Sequence, residues 1–259
     1  MGIEKWSELV NILEEAEREK KAIPRLSLSH PFNEEEAYEI QETWIARKIK
    51  AGERLIGYKM GLTSPAKMKQ MNVSEPIYGK LLAGMLVENG ESLPHDLFIH
   101  PRVEVEVAFL LGKDLKGEGL TEEEVIAATD HLMAAIEIID SRYENFQFTL
   151  ADVIADNASS ARFVLGNRLL TPGKEEMATL GMTLRINGEI KALGTPANIL
   201  GHPARSVAIL ANMLSRKGEG LKAGDFILAG GITEALAVQP GDLVQAHFAR
   251  LGDVLIRFV

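Results

Sequence analysis

The run Val103-Glu104-Val105-Glu106-Val107-Ala108-Phe109-Leu110 alternates valine with glutamate and then becomes wholly apolar. Side chains alternate across a strand, so the valines take one face and both glutamates the other, roughly 7 Å apart along the chain. Taken alone, such a pair belongs to a half-exposed strand with its acids in water. Glu137 narrows the choice, because it sits inside the apolar run Ala134-Ala135-Ile136-Glu137-Ile138-Ile139. A carboxylate among isoleucines must be paired, protonated or bound to a cation, since an unpaired buried charge is strongly destabilising. With no run of lysine or arginine nearby, three converging acids favour a cation. Carboxylate oxygens suit a hard ion, Mg²⁺ or Mn²⁺, with positions left for water and substrate oxygens.

Composition fits such a site and excludes others. At 259 residues and 46% hydrophobic, the chain is long enough for one well-buried domain with or without a smaller appendage. Its formal charge of -9 disfavours a nucleic-acid backbone or an anionic membrane surface as main partner. The absence of cysteine removes disulfides, thiolate zinc sites, iron–sulfur clusters and a thiol nucleophile. No apolar stretch approaches the length of a membrane span, and Met1 to Lys21 is a charged amphipathic pattern without a signal-peptide core. A cytoplasmic protein is expected.

Apolar residues at helical spacing predict helices over 4–20 and 33–51, separated by the loop holding Pro24 and Pro31. A glycine-punctuated stretch from Gly57 through Pro76 to Gly79 follows, with little periodicity, and is read as a join. Beyond residue 80 the signals are mostly strand and hairpin, including Asn187-Gly188, Pro240-Gly241-Asp242 and Leu251-Gly252-Asp253. Thr121 and Glu124 form a capping box predicting a helix over 121–131, and Pro203 suits the first turn of a helix running to about Lys217.

Two polar clusters follow apolar runs, Asp140 to Phe146 and Asp156 to Ser160. Loops at strand ends often carry function, but small polar residues also cap and close turns for local backbone reasons. Lys59, in a glycine-flanked segment, reads either as a cation for an anionic substrate or as a lysine with its head in water. Gly117-Glu118-Gly119 and Gly218-Glu219-Gly220 complete no phosphate-binding pattern, no Gly-x-Ser-x-Gly elbow is present, and the six histidines lack zinc-ligand spacing.

Together the motifs Gly57-Tyr58-Lys59-Met60-Gly61-Leu62-Thr63-Ser64, Pro76-Ile77-Tyr78-Gly79, His100-Pro101 before Glu104-x-Glu106, Ile139-Asp140-Ser141-Arg142-Tyr143-Glu144-Asn145-Phe146, Ala155-Asp156-Asn157-Ala158-Ser159-Ser160 and Gly201-His202-Pro203 span nearly the whole chain. They resemble the hydratase/decarboxylase branch of the fumarylacetoacetate hydrolase superfamily. Ala161-Arg162-Phe163 and Gly230-Gly231-Ile232-Thr233 resemble its decarboxylases. The resemblance implies an α+β fold, with a mixed β-roll catalytic domain over 80–259 and a smaller N-terminal helical, α/β domain over 1–79. It implies one Mg²⁺ or Mn²⁺ on Glu104, Glu106 and Glu137. Lys59, Asp156 and Ser159 would be catalytic, and Arg142, Asn157 and Thr233 would bind substrate. The implied activity is decarboxylation of the dicarboxylate 2-oxo-3-hexenedioate to 2-hydroxypenta-2,4-dienoate, in meta-cleavage degradation of aromatic compounds. Hydration of 2-hydroxypenta-2,4-dienoate is the sister alternative, and a non-catalytic metal-binding partner subunit is an alternative of another class. Implied partners are further copies of the chain and the pathway hydratase.

Overall fold

The computed structural model describes residues 5–65, 68–69, 73–173 and 177–259, and among these residues two mixed β-sheets and five α-helices are defined. The chain opens on helices α1 (Ser7–Glu19) and α2 (Glu34–Lys50), close to the expected spans. Asn33 starts α2 with a capping box: its side chain accepts from Glu36 N and the Glu36 carboxylate accepts from Asn33 N. Leu9, Val10 and Leu13 of α1 pack on Ala37, Ile40 and Trp44 of α2. The same apolar cluster includes Val153, Ile154 and Ala155 of the short helix α4 (Leu150–Ala155).

The larger sheet runs in the order β2 (Ile77–Leu82), β1 (Leu55–Gly61), β10 (Phe226–Leu228), β5 (Arg102–Leu111), β6 (Thr129–Ile139), β7 (Ser160–Leu165) and β3 (Leu86–Val87), with β11 (Leu236–Ala237) also paired to β5. It curls into a half-barrel. The second sheet runs β4 (Ser92–Leu93), β13 (Gly252–Phe258), β12 (Leu243–Phe248), β8 (Met182–Ile186) and β9 (Glu189–Gly194). Parallel pairs (β1 with β10, β3 with β7, β4 with β13) mix with antiparallel ones, as the expected α+β β-roll requires. Helices α3 (Glu122–Ala128) and α5 (Pro203–Arg216) complete the fold. Among the described residues, no helix is long and apolar enough to cross a membrane.

Both faces of β5 and β6 are buried, which is what makes the glutamates informative. Val103, Val105 and Val107 join Ile136 and Ile138 in a core shared with Val244, Ala246, Val254 and Ile256 of the second sheet. The opposite face, by alternation, carries Glu104, Glu106 and Ala108 on β5 and Glu137, Ala135 and Met133 on β6. Its apolar members pack with Leu81, Phe163 and Leu228 inside the curl. The isoleucines beside Glu137 in sequence therefore line the other core.

Two local expectations differ from the structure. Segment 57–79 holds most of β1 and the start of β2, strands of the main sheet; frequent glycines mask their strand pattern. Gly79 lies in β2 opposite Lys59. Helix α3 stops at Ala128, because from Thr129 onward the chain pairs with β5. By contrast Asn187-Gly188 turns β8 into β9 with φ of 54° and 82°, the left-handed geometry that such a hairpin favours. Pro203 opens α5 as expected.

A Cβ at Gly57 would lie 1.8 Å from the Phe226 carbonyl oxygen, because β1 approaches β10 at that point. Gly57→Ala is expected to destabilise the fold by about 3 kcal/mol and lower Tm by roughly 5–10 °C. Gly181→Ala, where a Cβ meets nothing within 4 Å, is expected to stay within about 0.5 kcal/mol of the parent. Thermal unfolding of the pair checks the close approach; equal melting would refute it.

Candidate metal centre

The antiparallel register sets Glu104 of β5 directly opposite Glu137 of β6, with Glu106 two residues further along. One oxygen from each of the three carboxylates lies within 4.8 Å of the others. All three residues are buried, Glu106 and Glu137 completely. Lys59 reaches in from β1: its Nζ lies 3.1 Å from Glu137 Oε2 and donates to the Ala158 carbonyl at 3.1 Å. Three carboxylates and one ammonium leave a net charge of -2 when all are ionised. Burial, and then the Glu137 charge, push the Glu106 carboxyl well above the ordinary range. Burial likewise raises Glu137 against the pull of Lys59. Burial alone would lower Lys59, but Glu137, Glu104 and Glu106 hold it above its ordinary value, so it stays an ammonium at neutral pH.

Glu106 Oε1 and Glu137 Oε1 are buried without a hydrogen-bond partner. Orphaned acceptors of this kind cost about 1–3 kcal/mol each, and more when charged. A divalent cation on Glu104, Glu106 and Glu137 would satisfy those oxygens and cancel the residual charge. The donor set is all oxygen, without cysteine or histidine, and fits Mg²⁺ or Mn²⁺.

A glycine pair closes the cluster on one side. After β10 the chain continues along β5, with Ala229 N donating to Val107 O and Ile232 N to Val105 O. Between them Gly230 N donates to Glu106 Oε2 at 2.6 Å. A Cβ on Gly231 would come within 2.9 Å of the Glu104 carboxylate, and one on Gly230 within 2.1 Å of Thr63 Oγ1. Thr233 stands beyond this turn, half-buried, its hydroxyl donating to the Glu234 carbonyl. The contacts of Gly230, Gly231 and Thr63 go beyond what the sequence motifs predict for this turn; adjacent glycines directly after an apolar strand are their signal in the sequence.

The other candidate residues gather on the turn between α4 and β7. Asn157, Ala158 and Ser159 are consecutive non-glycine residues in the left-handed region, with φ of 50°, 52° and 57°. Such backbone is sparsely populated and must be held in place by its surroundings. Asp156 is the holdfast. Its carboxylate pairs with the Arg142 guanidinium and accepts from Ser159 Oγ at 3.2 Å. Arg142 also donates to the Asp156 carbonyl at 2.5 Å and the Ser160 carbonyl at 3.4 Å, and its guanidinium lies 5.1 Å from the Trp44 ring centre. Burial pushes the Asp156 carboxyl up to about 6, against the pull of Arg142. The Asn157 side chain is taken up by both backbone groups of Lys80, while Gln41 of α2 donates to the carbonyls of Tyr78 and Ile154. The structure thus joins Lys59 to the three glutamates, and places Asp156, Ser159, Arg142 and Asn157 in the frame of the turn that carries Ala158.

The family model for the fumarylacetoacetate (FAA) hydrolase C-terminal region matches residues 64–259. The chain belongs to the fumarylacetoacetate hydrolase family. It is similar to the 4-oxalocrotonate decarboxylase of Pseudomonas sp. (strain CF600), 43% identical over 97% of this chain and 96% of the relative. The 2-oxo-hept-4-ene-1,7-dioate hydratase of Escherichia coli is 38% identical over 95% of each. Among solved structures, the 4-oxalocrotonate decarboxylase from Pseudomonas putida G7, complexed with magnesium and adipate, superposes with a TM-score of 0.93 at 40% identity, covering 98% of both chains.

Glu137→Gln is expected to weaken Mg²⁺ binding at least tenfold by calorimetry and to abolish turnover, while Glu91→Gln, on an exposed loop, leaves both unchanged. Full metal-dependent activity in Glu137→Gln would break the triad assignment. Lys59→Met should still bind metal but lose turnover; unchanged kcat and KM would remove Lys59 from the chemistry.

Proposed function

We propose that this chain decarboxylates 2-oxo-3-hexenedioate to 2-hydroxypenta-2,4-dienoate with Mg²⁺ or Mn²⁺, within the degradation of aromatic compounds. The single observation that carries the reading is the buried three-glutamate cluster with Lys59 against it, in a chain aligned end to end with relatives named as decarboxylases. In this reaction the C5–C6 bond breaks, carbon dioxide leaves, and its electron pair spreads through C4 and C3 onto the C2 oxygen. Because the departing carboxylate is vinylogously β to the ketone, the electronics need no organic cofactor or Schiff base.

When bound, the divalent ion supplies Lewis-acid stabilisation for the charge that develops on oxygen. Lys59 adds a fixed positive charge on the same wall. Its ammonium can give a proton to the enolate oxygen. Ala158 O holds the lysine in position, while Asp156, Arg142, Ser159 and Asn157 hold Ala158. Gly230 and Gly231 keep side-chain bulk away from the carboxylates. Thr233, at the mouth of the glycine turn, is our candidate for holding a substrate carboxylate.

We also place the enzyme in the cytoplasm, as a homo-oligomer that associates with the hydratase consuming its product. Ile190 and Leu193, exposed on the edge strand β9, support self-association. The intact metal cluster argues against a subunit that has lost its chemistry.

The deciding experiment follows 2-oxo-3-hexenedioate by ultraviolet absorbance, with Mg²⁺ and then with EDTA, while trapping carbon dioxide and offering 2-hydroxypenta-2,4-dienoate in parallel. Metal-dependent carbon dioxide release is expected. Consumption of the dienoate alone would replace this reading with hydration.

A further inference from the structure

The glycine turn beside the carboxylates has no side chains with which to hold itself. Gly230 and Gly231 carry the largest backbone freedom into the fold. Even so, Gly230 N stands 2.6 Å from Glu106 Oε2, and Gly231 lies against the Glu104 carboxylate. The bonds from Ala229 N to Val107 O and from Ile232 N to Val105 O tie the ends of the turn to β5.

A further anchor comes from outside the larger sheet. Residues 195–201, between β9 and α5, make a compact turn in which Asn198 N donates to Thr195 O and Gly201 N to Ala197 O. From this turn Asn198 Nδ2 donates to the Ile232 carbonyl at 3.0 Å. Two residues on, Leu200 takes the left-handed region, with φ of 51°, and its N–H donates to the Thr63 carbonyl at 3.0 Å. A non-glycine residue holds such backbone only where its surroundings fix it. Thr63 is 2% exposed, and its Oγ1 lies 2.1 Å from where a Cβ on Gly230 would stand. Gly230 is thus held between Thr63 and Glu106. Gly194, at the end of β9, keeps the approach open: a Cβ there would lie 2.8 Å from Ile232 Cγ2 and 3.4 Å from Asn198 Nδ2.

We propose that the 195–201 turn is a clamp on the metal centre, in which Asn198 and Thr63 are positioning residues for Glu106. The proposal rests on the three-glutamate metal reading and extends it to residues outside the ligand set. The Gly230 N–H occupies Glu106 Oε2 and leaves Oε1, buried without a partner, as the oxygen available to a cation. Groups that orient a metal ligand without touching the metal contribute about tenfold to a hundredfold in affinity. Without Asn198 the Ile232 carbonyl loses its side-chain donor, and without the Thr63 side chain Gly230 gains room to move away from Glu106. Either change loosens the hydrogen bond that selects the Glu106 oxygen.

Calorimetric titration of the full-length chain with Mg²⁺, paired with thermal unfolding of the metal-free protein, tests the clamp. Asn198→Ala and Thr63→Ala are each expected to raise the Mg²⁺ Kd about tenfold. Thr63→Val keeps the branched shape against Gly230 and should bind Mg²⁺ like the parent. Asn212→Ala removes a comparable amide-to-carbonyl bond, from α5 to Leu120 O at 3.1 Å, and should lower Tm while leaving the Mg²⁺ Kd unchanged. That contrast separates positioning from a general loss of stability. Should Asn198→Ala fold poorly, the two Thr63 variants carry the test. If the parent binds Mg²⁺ and Asn198→Ala and Thr63→Ala bind it equally well, the clamp is overturned and the metal centre stands. An equal loss of affinity in Asn212→Ala would also overturn the clamp. A parent that binds no Mg²⁺ would overturn the metal centre and the clamp with it.

Discussion

Burying Glu104, Glu106 and Glu137 together is tolerable only where their charge is balanced, and much of the structure answers that requirement. Carboxylates this close, in so little water, repel one another strongly. Burial and mutual repulsion drive Glu106 toward protonation, while Lys59 pulls the other way. The lysine offsets one charge, Gly230 N–H supplies a donor to Glu106, and two acceptors are still unmet. The cluster is thus built for a divalent cation, and the burial of all three glutamates keeps bulk solvent from competing for it. Opposing positions on β5 and β6 hold the carboxylates with the precision of a strand register.

Lys59 depends on a turn that is unfavourable by itself. Three successive left-handed residues without glycine persist because Arg142 grips Asp156, Ser159 caps the same carboxylate, and Asn157 binds the backbone of Lys80 as a neighbouring strand would. The N-terminal helices contribute as well: Trp44 lies against Arg142, and Gln41 ties α4 to β2. A segment remote in sequence from the carboxylates thereby fixes where their counter-charge stands.

Much of the centre was legible because strand periodicity is local. Alternation in 103–107 placed two glutamates on one face, and the apolar context of Glu137 signalled burial. That second inference reached burial through neighbours that do not touch the carboxylate, since Ile136 and Ile138 face the core between the sheets. Lys59 was ambiguous, because nothing near it in sequence shows that two sheet neighbours away lies an acidic cluster. Arg142 and Asn157 are substrate ligands by the family resemblance, and their protein partners, Asp156 and the backbone of Lys80, are visible only in the fold. Strands β1 and β2 escaped notice for a related reason. Gly57 and Gly79 are there for close approach to Phe226 and Asn157, and glycine in a strand weakens the very pattern by which a strand is read.

By itself the sequence determined the chemistry available: oxygen ligands for a hard cation, no thiol and no histidine cluster, a strand-rich C-terminal region and a helical start. Residue type and local spacing carry that information, since both survive without long-range contacts. Only the tertiary structure decided which charges meet. The register between β5 and β6, the crossing of Lys59 over β10 toward Glu137, and the enclosure of the Asn157–Ser159 turn by Arg142 and Asp156 all join residues distant along the chain. Such pairings are selected by the packing of whole sheets and helices, so no local pattern specifies them.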